Sequence, residues 1–71
     1  MTAQQRFTDN LAKRRKRLGL TQADIALACY VSPTVIGRVE SGRARLALDL
    51  AERIANALGT TVDVMLGTEI L

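Results

Sequence analysis

A chain of 71 residues with a formal net charge of +3, one cysteine and no histidine has room for one domain with a modest core and no intramolecular disulfide. Phe7 and Tyr30 are its only aromatic residues although 48% of the chain is hydrophobic, so Leu, Ile, Val and Ala must build the interior, which suits helices better than a β-sandwich. Every lysine and arginine except Arg53 falls in residues 1 to 45, while Asp49, Glu52, Asp63 and Glu69 lie beyond, so the first part of the chain is the candidate polyanion-binding end.

In chain order, Phe7, Leu11 and Leu18 with Ala12 mark one face of a first helix, expected over roughly Thr8 to Leu18, and Gly19 is its stop. Asp9 near its start and Lys13 to Arg17 near its end suit the helix dipole. That basic run reads equally as a solvated helix face or as a nucleic-acid contact. A second helix starts after Thr21, with Asp24 making a shortened version of the capping box and Leu20 and Ile25 forming a hydrophobic staple. Cys29 lies in its apolar stretch and is expected to be buried rather than reactive. The third helix repeats the device, with Ser32 as N-cap, Pro33 at the first helical position and Val31 stapled to Ile36. Gly42 ends it and opens a basic loop to Arg45. A fourth helix, about Ala47 to Leu58, buries Leu50, Ala51, Ile54, Ala55 and Leu58, and Gly59 closes it. Thr60 and Thr61 then cap a short fifth helix through Leu66, and a tail follows.

The spacing of the second and third helix starts forces two short helices joined by a tight turn. Gly19-Leu20-Thr21-Gln22, Ile25-Ala26, Val31-Ser32, Ile36, Glu40 and Gly42 resemble the Cro/C1-type helix-turn-helix family of phage repressors and small transcription regulators. Ile54-Ala55, Ala57-Leu58-Gly59 and Val62 are similar to that family's fourth and fifth helices. The resemblance implies an all-α, five-helix, lambda-repressor-like fold, a single domain over 1–71 with its core in 7–66 and a C-terminal tail at 67–71. It implies a sequence-specific transcription regulator, of the Cro-like or restriction-modification controller kind, that binds a pseudo-palindromic operator in double-stranded DNA.

A helix of this kind reads bases from its N-terminal part in the ~12 Å wide major groove. Ser32, Pro33, Thr34, Val35 and Arg38 are the base-reading candidates, with Ile36 and Val39 turned inward. Arg38 suits a bidentate contact to guanine or, alternatively, a phosphate. By the resemblance, Gln22 contacts a phosphate and braces the start of the third helix, and Arg15 pairs with Glu40 to present its guanidinium to a phosphate, which is compatible with a purely structural ion pair. Ser41, Arg43 and Arg45 are expected on the DNA backbone, with Arg14 from the first helix.

Four positions depart from the family's pattern. Tyr30 stands where glycine is usual, so it is either left-handed and strained or a tolerated turn residue whose ring covers the core edge. Pro33 replaces a hydrogen-bonding side chain, shifting readout toward shape and methyl packing. Leu46 and Ala47 replace the Pro-Ser that often starts helix four, removing a side-chain cap.

With no catalytic or metal-binding constellation among Asp9, Asp24, Glu40, Asp49, Glu52, Asp63 and Glu69, and neither a P-loop nor a GxGxxG, enzymatic activity is not expected. No cofactor or small-molecule ligand is evident. No signal peptide or membrane-spanning run is present, so a cytoplasmic protein is expected. Val64, Met65, Ile70 and Leu71 exceed what one face of a short helix needs and predict a homodimer through this end; the alternative is core packing for Met65 and Leu66 with a frayed tail. The competing role is that of an antitoxin of the same fold, which binds a toxin and its own promoter.

Overall fold

The computed structural model describes residues 1–67, so Ile70 and Leu71, expected at a dimer contact, lie outside the described residues. Five helices follow one another: α1 (Ala3–Arg17), α2 (Gln22–Cys29), α3 (Pro33–Glu40), α4 (Leu48–Ala57) and α5 (Val62–Met65). Among the described residues there is no strand.

α1 starts earlier than its apolar face suggests. Thr2 is the N-cap; its hydroxyl accepts from the Gln5 N–H while the Gln5 side chain accepts from the Thr2 N–H, a complete capping box. Asp9 consequently sits in mid-helix, exposed, and contributes nothing to the first turn. The basic last turn, Arg14 to Arg17, is where the dipole favours it. Leu18 leaves the expected apolar face: as C-cap residue it is half exposed.

α2 opens on the expected reciprocal cap between Thr21 and Asp24. The Thr21 backbone N–H, then its hydroxyl side chain, hold the Asp24 carboxyl below its ordinary range. Ser32 occupies the N-cap of α3 without a side-chain hydrogen bond, and Pro33 supplies the preset φ of the first turn. Ala47 caps α4 without a side-chain bond, as its residue type dictates, and Thr61 caps α5 by accepting from the Val64 N–H.

The interior draws Phe7 and Leu11 from α1, Ile25, Ala26 and Cys29 from α2, Ile36 and Val39 from α3, Ala51, Ile54 and Ala55 from α4, and Leu58 from the C-cap of α4. Leu20 and Val31, the two staple residues, pack against this core and set the entry angles of α2 and α3. Burial pushes the Cys29 thiol up, against the opposing charge of Arg53, so it stays protonated. Met65 is 1% exposed within this core. It therefore cannot serve the dimer contact proposed from sequence, and its hydrophobicity is used inside the monomer.

A row of side chains at every fourth position of α1 ties the last helices down. Arg6 Nε donates to the Leu66 carbonyl at 2.7 Å, Asn10 Nδ2 to the Met65 carbonyl at 2.8 Å and Arg14 Nε to the Leu58 carbonyl at 3.0 Å. Those carbonyls belong to the C-terminal ends of α4 and α5, where helices leave acceptors without intrahelical partners and where positive charge is favoured.

The turn between α2 and α3 holds the left-handed residue that the sequence left open. Tyr30 has φ 61° and ψ 38°, and is the non-glycine residue with positive φ among those described. The residue is 89% exposed, so its ring does not cover the core edge. An L-residue is strained there and glycine is not, although glycine also gives the unfolded chain more freedom. Tyr30→Gly is expected to gain about 0.5–1 kcal/mol net, raising the melting temperature by about 2–8 °C. A thermal melt showing a lower midpoint would contradict the strain.

Candidate nucleic-acid interface

α2 and α3 pack against each other through Ile25, Ala26, Cys29, Ile36 and Val39, which fixes the outward side of α3. Gln22, Pro33, Thr34, Gly37, Arg38, Ser41 and Arg43 line an open concavity of about 580 Å³ on that side. The structure thus brings together six of the residues singled out from sequence and adds Gly37, which no sequence signal marked. Ser32, Pro33, Thr34 and Arg38 are exposed, whereas Val35 is half-buried and offers less methyl surface than expected.

An ion pair is joined to this surface through Gln22. Arg15 Nε donates to Glu40 Oε2 at 2.7 Å and Nη2 to Glu40 Oε1 at 3.2 Å, while Nη1 donates to the Leu20 carbonyl at 2.9 Å. One guanidinium therefore links α1, the entry to α2 and the end of α3. The two side chains are only 13% and 11% exposed, so Arg15 is committed chiefly to the protein and little of it is offered outward. For the Glu40 carboxyl, burial acts upward, but hydrogen bonds from Arg15 and Gln22 with the Arg15 charge outweigh it and hold the group below its ordinary range.

Gln22 behaves differently from the brace expected of it. Its Nε2 donates to Glu40 Oε1 at 3.2 Å, so it crosses to the end of α3 instead of bracing the start. Pro33, at that start, has no N–H or polar side chain to offer it. Ser41 donates its hydroxyl proton to the Arg38 carbonyl at 3.1 Å, and must release that bond before it can donate to a phosphate. Gly42, with φ 76°, ends α3 and turns the chain so that the Arg43 and Ala44 N–H groups return to the same Arg38 carbonyl. Gln4, missed from sequence, donates to the Ala44 carbonyl at 3.1 Å and pins this loop to α1. Arg43 and Arg45 are exposed on it. Arg14, also expected on the DNA backbone, does not line this concavity: it lines a separate groove with Asn10, Lys13, Arg17 and Val64, and its Nε donates to the Leu58 carbonyl at the end of α4.

A larger concavity, about 920 Å³, runs between the start of α1 and the end of α3, but its charged lining residues are Asp9 and Glu40. Its sign is wrong for a polyanion. Among the described residues no group of His, Cys, Asp or Glu is placed to hold a metal, and no helix is long and apolar enough to cross a membrane.

Two short helices with a tight turn, packed so that the second presents Arg38 outward, make this a helix-turn-helix domain. The helix-turn-helix family model matches residues 11–65. A curated relative, an uncharacterized HTH-type transcriptional regulator of Methanothermobacter thermautotrophicus, is 45% identical over 49 residues, 69% of this chain and 71% of that protein. Among solved structures, the clp gene regulator ClgR from Corynebacterium glutamicum superposes with a TM-score of 0.85 at 27% identity, over 93% of this chain and 70% of that one. Hydroxypropylphosphonic acid epoxidase from S. wedmorenis also matches, with a TM-score of 0.79 at 29% identity, over 90% of this chain but only 34% of the enzyme's, so the same helical unit also occurs as a minor part of a larger chain. The chain belongs to the Cro/C1-type helix-turn-helix family of DNA-binding transcription regulators.

Proposed function

We propose that this domain is a sequence-specific regulator that lays α3 in the major groove of a pseudo-palindromic operator and acts without catalysis. The observation that carries the reading is the convergence of Gln22, Thr34, Arg38 and Arg43 on one open concavity, with Gln22 hydrogen-bonded to the Arg15–Glu40 ion pair. Thr34 and Arg38 stand one helical turn apart on the exposed side, where a base edge is reached; Arg43 and Arg45 follow α3, where the backbone passes. A location in the cytoplasm, with the DNA, goes with this role.

The described residues span 31 × 23 × 19 Å, whereas paired half-sites are centred ~34 Å apart. One copy thus covers one half-site, and a homodimer supplies the second. Val64, half-buried on α5, remains a candidate for its contact together with Ile70 and Leu71.

Selection of bound duplexes from random DNA tests the reading directly. Enrichment of a two-fold related sequence is expected, with affinity falling about a thousandfold between 50 and 200 mM salt if about six phosphates are neutralised. No enrichment over the starting pool would refute sequence-specific binding. Sedimentation showing only monomer at low salt, even at tens of micromolar, would refute the dimer. A second protein co-purifying in stoichiometric amount from native cells would reassign the chain to the antitoxin role.

A further inference from the structure

Gly37 sits in the middle of the eight-residue α3 and, alone among the described glycines, has no positive φ to explain it. Glycine at such a place weakens a helix, so what the missing side chain permits must be sought around it. A Cβ built on Gly37 would lie 3.3 Å from Gln22 Oε1 and 3.8 Å from both Cδ and Nε2 of the same carboxamide. The Gln22 amide therefore rests on the bare backbone of α3. From there its Nε2 reaches Glu40 Oε1 at 3.2 Å, and Gln22 and Gly37 line the same concavity as Thr34, Arg38 and Arg43.

We propose that Gly37 is a positioning residue for DNA backbone recognition: its absent side chain is the seat that lets the Gln22 carboxamide lie across α3 and cover the Glu40 carboxylate. This rests on the DNA-binding reading above. Arg15 covers Oε2 and shares Oε1, and Gln22 supplies the remaining donor to Oε1. A phosphate entering the concavity then meets an amide N–H and Arg43 instead of a bare negative charge. A Cβ on Gly37 makes the carboxamide give by a few tenths of an ångström, which loosens its 3.2 Å bond to Glu40 Oε1 and leaves that negative charge less screened beside the concavity, so that a phosphate is repelled whatever the base sequence. Gly37 thus trades helix stability for the electrostatics of the surface.

Gly37→Ala in the full chain separates this role from a structural one. Its melting temperature is expected to match or exceed the wild-type value, because alanine favours the helix. In the DNA-free protein, the side-chain amide resonances of Gln22 are expected to move and to stop following the titration of Glu40. Affinity is expected to fall about tenfold for a selected duplex and for an unrelated duplex of equal length alike. Gln22→Ala combined with Gly37→Ala is expected to lose no more than Gln22→Ala alone. Unmoved Gln22 resonances would overturn the proposal even if affinity fell, since the loss would then come from a clash with DNA. Additive losses in the double variant, or undiminished affinity, would overturn it as well. If the wild-type protein bound neither duplex, the DNA-binding reading would fail with the phosphate role, while the resonances alone would still show whether Gly37 seats Gln22.

Discussion

Replacing Arg15 by alanine is expected to destabilise the domain by about 1–3 kcal/mol at neutral pH, because it leaves the other partner of a part-buried ion pair largely uncompensated. The magnitude follows from what is left behind: a Glu40 carboxylate 11% exposed, keeping only the Gln22 amide, and a Leu20 carbonyl stripped of its donor. A loss of that size is a large fraction of the stability of a small domain. The pH dependence carries its own sign. In the wild-type protein the Glu40 pKa is lowered on folding, so its contribution is fully present above the ordinary glutamate value of about 4.3 and is lost as pH falls through the lower folded value. In Arg15→Ala burial is opposed only by the Gln22 hydrogen bond and the Lys16 charge, and the folded pKa is expected to rise from its wild-type value. The defect should then shrink as Glu40 takes up a proton. Urea unfolding at neutral pH and near the glutamate pKa measures both, and an equal Arg15→Ala penalty at the two would show that the buried charge is not its cause.

Arg38→Ala and Arg43→Ala are expected to fail in different ways, although both remove an exposed cation from the same concavity. Arg38 lies on α3 itself, one turn after Thr34, so its loss should cost about 1–3 kcal/mol against the preferred base pair and much less elsewhere. Arg43 lies beyond the helix end, where only the backbone is in reach. Its loss should weaken all duplexes alike and reduce the salt slope by about one. Binding of both variants to the selected operator and to single-base changes of it distinguishes them. Equal relaxation of base preference by both would remove the division between base and phosphate contacts.

The residues that shape the chain locally were the legible ones. Thr21 with Asp24, Ser32 with Pro33, and the staples at Leu20 and Val31 each act within a few positions, so sequence order is enough to see them. The start of α1 had the same kind of signal in Thr2 and Gln5, but it precedes the first apolar residue of the helix face, and periodicity drew the boundary too late. What could not be read are jobs settled by partners far along the chain. Arg14 looks like its basic neighbours until Leu58 is found 44 residues on, and Arg6 until Leu66, 60 residues on. The Arg15 and Glu40 pair was anticipated through the family pattern, yet its burial, which makes it a support more than a phosphate contact, belongs to packing alone. Met65 illustrates the same limit: hydrophobicity puts it out of water, and only the assembled core shows that it is the monomer's own interior.

The row of Arg6, Asn10 and Arg14 also sets an order of events during synthesis. α1 leaves the ribosome first, but the carbonyls that its side chains grip belong to residues 58, 65 and 66. The helix made earliest is thus the one completed last, and α2 and α3 emerge into a domain whose two ends have not yet met. The nascent chain gains its full set of contacts only when α5 has been delivered.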